Sequence, residues 1–195
     1  AKRPRIALII ESSTIFGRQV LRGIARYVRA HQPWSIFLEQ REFGAMPPAW
    51  LLRRKWDGII SRPTNHRLAK EFKRMRVPVV DLNSLHPDLG LPRIRSDNRT
   101  IGRVGAEHLL ERGFRHFAYC GYSVVEWAAL RREGFMSTVR EMGHTCHVYE
   151  SPWRGRHLPE WDEDQGRIAK WIQSLPKPCG LMACNDPRGQ QVVDA

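Results

Sequence analysis

Short apolar runs and helix-length amphipathic segments take turns along the whole of this 195-residue chain. Arg5 to Ile10 reads as a strand, Phe16 to Ala30 as an amphipathic helix and Trp34 to Glu39 as a second strand. Pro47-Pro48 can open a short helix through Trp50 to Lys55, because proline is tolerated in a first turn, and Asp57 to Ser61 follows as a strand. Asn65 is placed to cap a helix from Leu68 to Met75, and Val77 to Asn83 is rich in β-formers. Between Arg93 and Tyr122 an extended run meets Ser96-Asp97-Asn98, a helix-length segment ends at Gly113, and Phe117 to Cys120 is apolar again. Glu126 to Gly143 is a long helix ended by glycine, Cys146 to Glu150 a strand, Trp161 to Leu175 a helix, and Cys179 to Cys184 a strand running into Asn185-Asp186. Parallel strands need crossover segments between them, so the alternation leaves an α/β fold with largely parallel sheets flanked by helices.

The length suits one large domain or two intimate lobes. The turn-rich stretch His86 to Pro92 has no periodicity and is the linker candidate, which places a boundary near Arg95 and gives lobes of 1–95 and 96–195. With 42% hydrophobic and 27% charged residues the chain is of ordinary globular make-up. No apolar run approaches the ~20 residues of a membrane span. The basic start leads into a short apolar run that stops at Glu11 with no small-residue cleavage site after it, so a first strand is expected there and not a signal peptide. Those features together imply a cytoplasmic protein with no membrane partner.

The net charge of +12 is unevenly distributed. Residues 1–76 hold 17 Lys and Arg against 5 Asp and Glu, whereas residues 77–195 hold 15 of each. Arg18, Arg22, Arg26 and Arg29 recur at helical spacing, opposite Phe16, Val20, Ile24 and Val28. That basic stripe is either a solvated face or a surface turned towards nucleic acid or an acidic partner. Cys120, Cys146, Cys179 and Cys184 could pair in a secreted protein, but three of them sit in apolar strand-like runs, where a free cysteine behaves as a small hydrophobe. Their spacing also lacks the paired two-residue intervals of a zinc site, so reduced thiols and no bound metal are expected.

Ligands of open α/β sheets bind at the loops after the strands' carboxyl ends. Here those loops read ESSTIF (from Glu11), SRPTN (from Ser61), NSLHP (from Asn83), GYSVVEW (from Gly121), ESPWRG (from Glu150) and NDPRG (from Asn185). Hydrogen-bonding side chains are interleaved with aromatic rings in them. Neither GxGxxG after the first strand nor GxxxxGK[ST] anywhere is present, so a dinucleotide or phosphate cradle has no support and no cofactor is expected. Ser12, His66 and Asp81 could be assembled into a triad on paper, but no sharp Gly-x-Ser-x-Gly turn accompanies them, and an enzyme is not expected.

The stretch RIRSDNRTIGRVGAEHLLERGFRHFAYCGY resembles the effector domain of the lactose-repressor/galactose-repressor family, through Asp97, Gly102, Ala106, His108, Leu109, Gly113 and Gly121. LRREGFMSTVREMG is similar to that family's next helix, with its Arg-x-x-Gly-Phe motif at Arg131, Gly134 and Phe135, and GLMACNDPRGQQVVDA resembles its strand into Asn-Asp and the following helix. RPRIALIIESSTIFGRQVLRGIARYVR looks like the start of the xylose operon regulator group, in which the sensing domain precedes the DNA reader. The resemblance implies a two-lobed periplasmic-binding-protein-like type I fold that senses a sugar between its lobes and belongs to a homodimeric transcriptional regulator. It further implies a second lobe that is incomplete here and DNA contact through a domain absent from this chain. A transporter's sugar-binding protein shares the architecture and stands as the alternative.

Ligand-binding residues follow from the resemblance. Arg131 would point into the cleft and offer a guanidinium fork to sugar hydroxyls, while Arg132 faces solvent. Asn185 and Asp186 match the strand-end polar pair that takes vicinal hydroxyls, unless they only cap the next helix. Asn83 stands where the family often has aspartate, keeping an acceptor without its charge. Glu11, Ser12 and Ser13 supply further partners, Arg62 sits similarly after the third strand, and Phe16 and Trp127 either stack on a pyranose ring or serve as core. At the Ser-Asp-Asn corner, Asp97 and Asn98 are expected to act chiefly as a helix cap.

Overall fold

The computed structural model describes residues 3–40, 48–62, 64–82, 85–86, 88–153 and 160–195. The chain divides into two compact units, Ala1–Arg95 and Ser96–Ala195. In the first, β1 (Arg5–Ile9), α1 (Ile15–Ala30), β2 (Ser35–Leu38), β3 (Gly58–Ser61), α2 (His66–Met75) and β4 (Val79–Asp81) follow one another, and the four strands form a parallel sheet in the order β2-β1-β3-β4.

The two-residue period of β1 decides which helix covers which face. Ile6, Leu8 and Ile10 meet Val20, Leu21 and Ile24 of α1, whereas Ala7 and Ile9 join Ile59, Val79, Leu68 and Phe72, the last two from α2. Asn65 caps α2 as expected, its side chain accepting from the Leu68 N–H at 2.8 Å. The β-rich run after α2 pairs only as far as Asp81, where Pro92 and Ile94 bond its backbone.

The second unit runs α3 (Asn98–Glu111), β5 (His116–Ser123), α4 (Glu126–Glu141), β6 (Cys146–Pro152), α5 (Trp161–Ser174), β7 (Cys179–Ala183) and α6 (Asp186–Asp194), with a parallel sheet in the order β6-β5-β7. The central strand β5 is buried from Phe117 to Tyr122, as a strand covered on both faces must be. α3 and α4 both end on a left-handed glycine, Gly113 at φ 81° and Gly143 at φ 77°. Each glycine N–H and the N–H after it turn back to satisfy carbonyls of the last turn, at Leu110 and Leu109 in one helix and at Arg140 and Val139 in the other.

One expected element is absent. Residues 49 to 53 form tight turns and not a helix, with Leu51 bonding Pro48 and Arg53 bonding Trp50. A run this short cannot repay helix nucleation, and the Trp56 indole donates to the Leu51 carbonyl at 2.7 Å, a group a continuing helix would need.

Candidate functional site

The polar groups at the strand ends of the first unit gather around Glu11. Its side chain is almost fully buried, accepts from Thr14 Oγ1 at 2.9 Å and forms an ion pair with Arg62, which follows β3. Thr14 also caps α1 through the Gly17 N–H at 3.1 Å. Gly17 is required by this arrangement, because a Cβ there would lie 1.8 Å from the Glu11 carbonyl oxygen. The Arg62 guanidinium stacks over the Phe16 ring at 4.6 Å.

Phe16 is therefore neither core nor a free platform; it is 47% exposed and roofed by a cation. Ser12 and Ser13 contribute their carbonyls, which Arg18 Nη1 bonds at 2.9 and 3.0 Å. Asn83 lies outside the described residues. His66 pairs with Asp88 at 3.1 Å, and Asp81 is buried, so the paper triad with Ser12 has no support.

In the second unit the site is built on a close helix crossing. A Cβ on Gly102 would sit 2.0 Å from the Arg131 carbonyl oxygen, and one on Gly134 would sit 2.1 Å from that of Arg99. The two glycines let α3 and α4 touch, and this contact brings Asn98 beneath Arg131. Arg131 Nε donates to Asn98 Oδ1 at 3.0 Å, Nη1 donates to the Cys184 carbonyl at 2.6 Å, and the guanidinium lies 5.1 Å from the Trp127 ring centre. Its Nη2 makes no hydrogen bond among the described residues, which leaves part of the fork unspent. Asp97 caps α3 through the Thr100 N–H at 3.0 Å, so the corner residue Asn98 is the one that reaches the arginine.

Trp127, Tyr122 and Trp153 form an aromatic cluster with centroids 5.9 to 6.3 Å apart at the ends of β5 and β6. Before it, Val124 adopts φ 60°, a left-handed conformation that a β-branched residue rarely takes, while fully exposed. Asn185 caps α6, its Oδ1 accepting from the Arg188 N–H at 3.0 Å. Asp186 beside it is exposed and makes no hydrogen bond or ion pair among the described residues.

Two residues behave differently from expectation. Arg132, expected in solvent, forms a half-buried ion pair with Glu150 of β6, because the α4 face next to Arg131 packs towards that strand. Arg188, singled out by nothing in the sequence reading, is fully buried. It donates to Asp164 at 2.7 Å, to Gln191 at 2.8 Å, to the Gly121 carbonyl at 3.0 Å and to Ser151, and its guanidinium lies 4.8 Å from the Tyr122 ring. Burial alone would raise the Asp164 carboxyl; bonds from Arg188 and Tyr149 outweigh it and hold it below the usual carboxylate range. A cation in the first turn of a helix opposes the dipole, and that anomaly was the available signal of a buried partner.

All four cysteines are free thiols. Burial pushes Cys120 up to about 11 and Cys184 up to about 12, so neither ionises near neutrality to act as a nucleophile. Among the described residues no group of three or more His, Cys, Asp or Glu could hold a metal ion, and no helix is long and apolar enough to cross a membrane.

Comparison with known proteins follows the division into units. Residues 5–94 match the XylR N-terminal domain, and residues 106–195 match the periplasmic binding protein-like domain. The chain is 30% identical over 204 residues to the xylose operon regulatory protein of Escherichia coli (strain K12), covering 98% of this chain and 50% of the relative. It is 27% identical over 199 residues to that of Haemophilus influenzae, with 98% and 50% covered. The solved structure of the xylose-binding transcription activator xylR superposes with a TM-score of 0.80 at 27% identity, over 100% of this chain and 50% of that one. The chain spans about half the length of the curated relatives it matches.

Proposed function

We propose that this chain, whose two units match the XylR N-terminal domain and the periplasmic binding protein-like domain, is the sugar-sensing part of a transcriptional regulator of the xylose operon regulator group, with the lactose/galactose-repressor-like effector fold. Its effector is a neutral monosaccharide, xylose first, held without metal or cofactor by the polar and aromatic groups at the strand ends. Sugar occupancy governs DNA binding through a reader outside these 195 residues.

The observation that carries this reading is the state of Arg131. Two of its nitrogens are fixed by Asn98 and the Cys184 carbonyl, a third has donors to spare, and the Trp127 ring lies beside it. A rigid donor fork next to an aromatic face suits a ring that carries hydroxyls on its rim and C–H groups on its flat side. Asp186, with an unengaged carboxylate, supplies an acceptor for two adjacent hydroxyls, and the Nδ2 of Asn185 is a further donor. Around the other unit's strand ends, Glu11, Ser12, Arg62 and Phe16 take the same part, and Asn83 is a further proposed hydroxyl partner by its place in the sequence. A transporter's binding protein would need no different geometry; the names of the matched relatives favour regulation.

Calorimetric titration with D-xylose, L-arabinose, D-ribose and D-glucose tests the proposal. Saturable binding with xylose strongest is expected. A folded protein that takes up none of the four contradicts it.

A further inference from the structure

The positive charge of this protein belongs wholly to one unit. Residues 1–95 hold 19 Lys and Arg against 7 Asp and Glu, a difference of +12, while residues 96–195 hold 13 of each. Neutral sugar binding has no use for this excess.

Its most ordered part is one flank of α1. The helix contains no acidic residue, and the nearest acids in sequence are engaged elsewhere, Glu11 with Arg62 and Glu39 with the Trp50 indole. Arg18, Arg22, Arg26 and Arg29 are all exposed and, at about 100° per residue, fall within an arc of about 80° turned away from the face that packs on β1. Arg18 is drawn to the Ser12 and Ser13 carbonyls. Arg22, Arg26 and Arg29 make no hydrogen bond or ion pair among the described residues. At ~1.5 Å of rise per residue the stripe from Arg18 to Arg29 runs about 16 Å along the helix. Gly23, about 60° round the helix from Arg26, leaves open space where a Cβ would stand, so nothing bulky borders that edge of the stripe.

We propose that this flank of α1 docks on the phosphate backbone of duplex DNA, as a sequence-independent contact additional to any dedicated reader. Three unpaired guanidiniums in a line fit a row of fixed phosphates, and each can grip one in bidentate fashion. A second copy of the chain is a poorer occupant, since like-charged stripes repel and the other unit has no net charge to offer. The inference rests on the reading of the chain as part of a DNA-binding regulator, but the two fail separately. Sugar titration tests the effector role and is indifferent to this face.

The experiment measures fluorescence anisotropy of a labelled mixed-sequence duplex of about 30 bp against the full chain over a series of salt concentrations. Three proteins are compared: the parent, a triple variant Arg22→Gln, Arg26→Gln, Arg29→Gln, and a control Arg67→Gln, Lys70→Gln, Lys73→Gln on α2, which removes the same charge from the opposite sheet face. Each phosphate contact contributes about −0.9 to the slope of log K against log salt, so the α1 variant should lose about 2.7 of that slope while the control keeps the parent value. Equal losses in both variants would show diffuse attraction and overturn the proposal, as would a parent that does not bind duplex at low salt. Sedimentation velocity on the same samples supplies the last outcome. If the α1 variant loses a salt-sensitive self-association while duplex binding stands, the flank belongs to a second copy and the proposal is wrong.

Discussion

A buried charge is stable only while its partner remains, and among the described residues one such pair sits at the strand ends of the first unit and another joins α5 to α6. Arg62 holds Glu11, and Arg188 holds Asp164. Removing one member leaves the other unpaired in the interior, which costs about 3–5 kcal/mol. Arg188→Met should therefore lower the midpoint of chemical unfolding far more than Asp164→Asn with Arg188→Met together, which a denaturation series would show. The pH dependence follows from the depressed Asp164 carboxyl. Because its folded value lies below its unfolded one, the stabilisation is present above the unfolded value and fades as pH falls through the folded one. Asp164→Asn should flatten the acid side of a melting-temperature profile, below about pH 4, and leave the neutral side's slope alone. An unchanged acid limb would show that Asp164 is not the titrating group. At Val124 the sign is reversed: a β-branched residue at φ 60° is strained by roughly 1–2 kcal/mol, so Val124→Gly should raise the melting temperature.

Between elements, the contact that matters most is the crossing of α3 and α4. Gly102→Ala places a methyl carbon 2.0 Å from the Arg131 carbonyl oxygen and must push the helices apart. A loss of about 1–3 kcal/mol is expected. Sugar affinity should fall with it, because Asn98 and Arg131 would no longer meet, and thermal melts and calorimetry on one sample check both. That crossing also shows what could be read from the chain beforehand. The strands and helices were legible because apolar period and terminal glycines agree, as Gly113 and Gly143 illustrate. Arg131 stood out through its motif, whereas the Asn98 and Cys184 partners that hold it did not. The Trp50 to Lys55 segment was not, since nothing local says that Trp56 will take a carbonyl from it. Arg132 and Arg188 were misjudged or missed because their partners, Glu150 and Asp164, lie 18 and 24 residues away, and helical period cannot tell an arginine in solvent from one paired with a distant strand.

Across the whole molecule, charge and chemistry are divided between the two units, one carrying all of the net +12 and the other the anchored arginine and its aromatic cluster. We propose that the protein pairs as a homodimer through a surface other than the arginine flank of α1. Sedimentation equilibrium should then give a dimer that survives neutralisation of Arg22, Arg26 and Arg29, and a monomer at high concentration would contradict this. For the second unit we propose that Arg131 is held by Asn98 and the Cys184 carbonyl so that its remaining donors meet a sugar. It is tested most directly by calorimetric titration of D-xylose into the parent protein, Arg131→Ala and Arg131→Lys. Losing a buried partner of sugar hydroxyls costs about 1–3 kcal/mol, so both variants should bind roughly ten- to a hundredfold more weakly, the lysine failing because it lacks the fork. Unchanged xylose affinity in either variant, with the fold intact by circular dichroism, would contradict it.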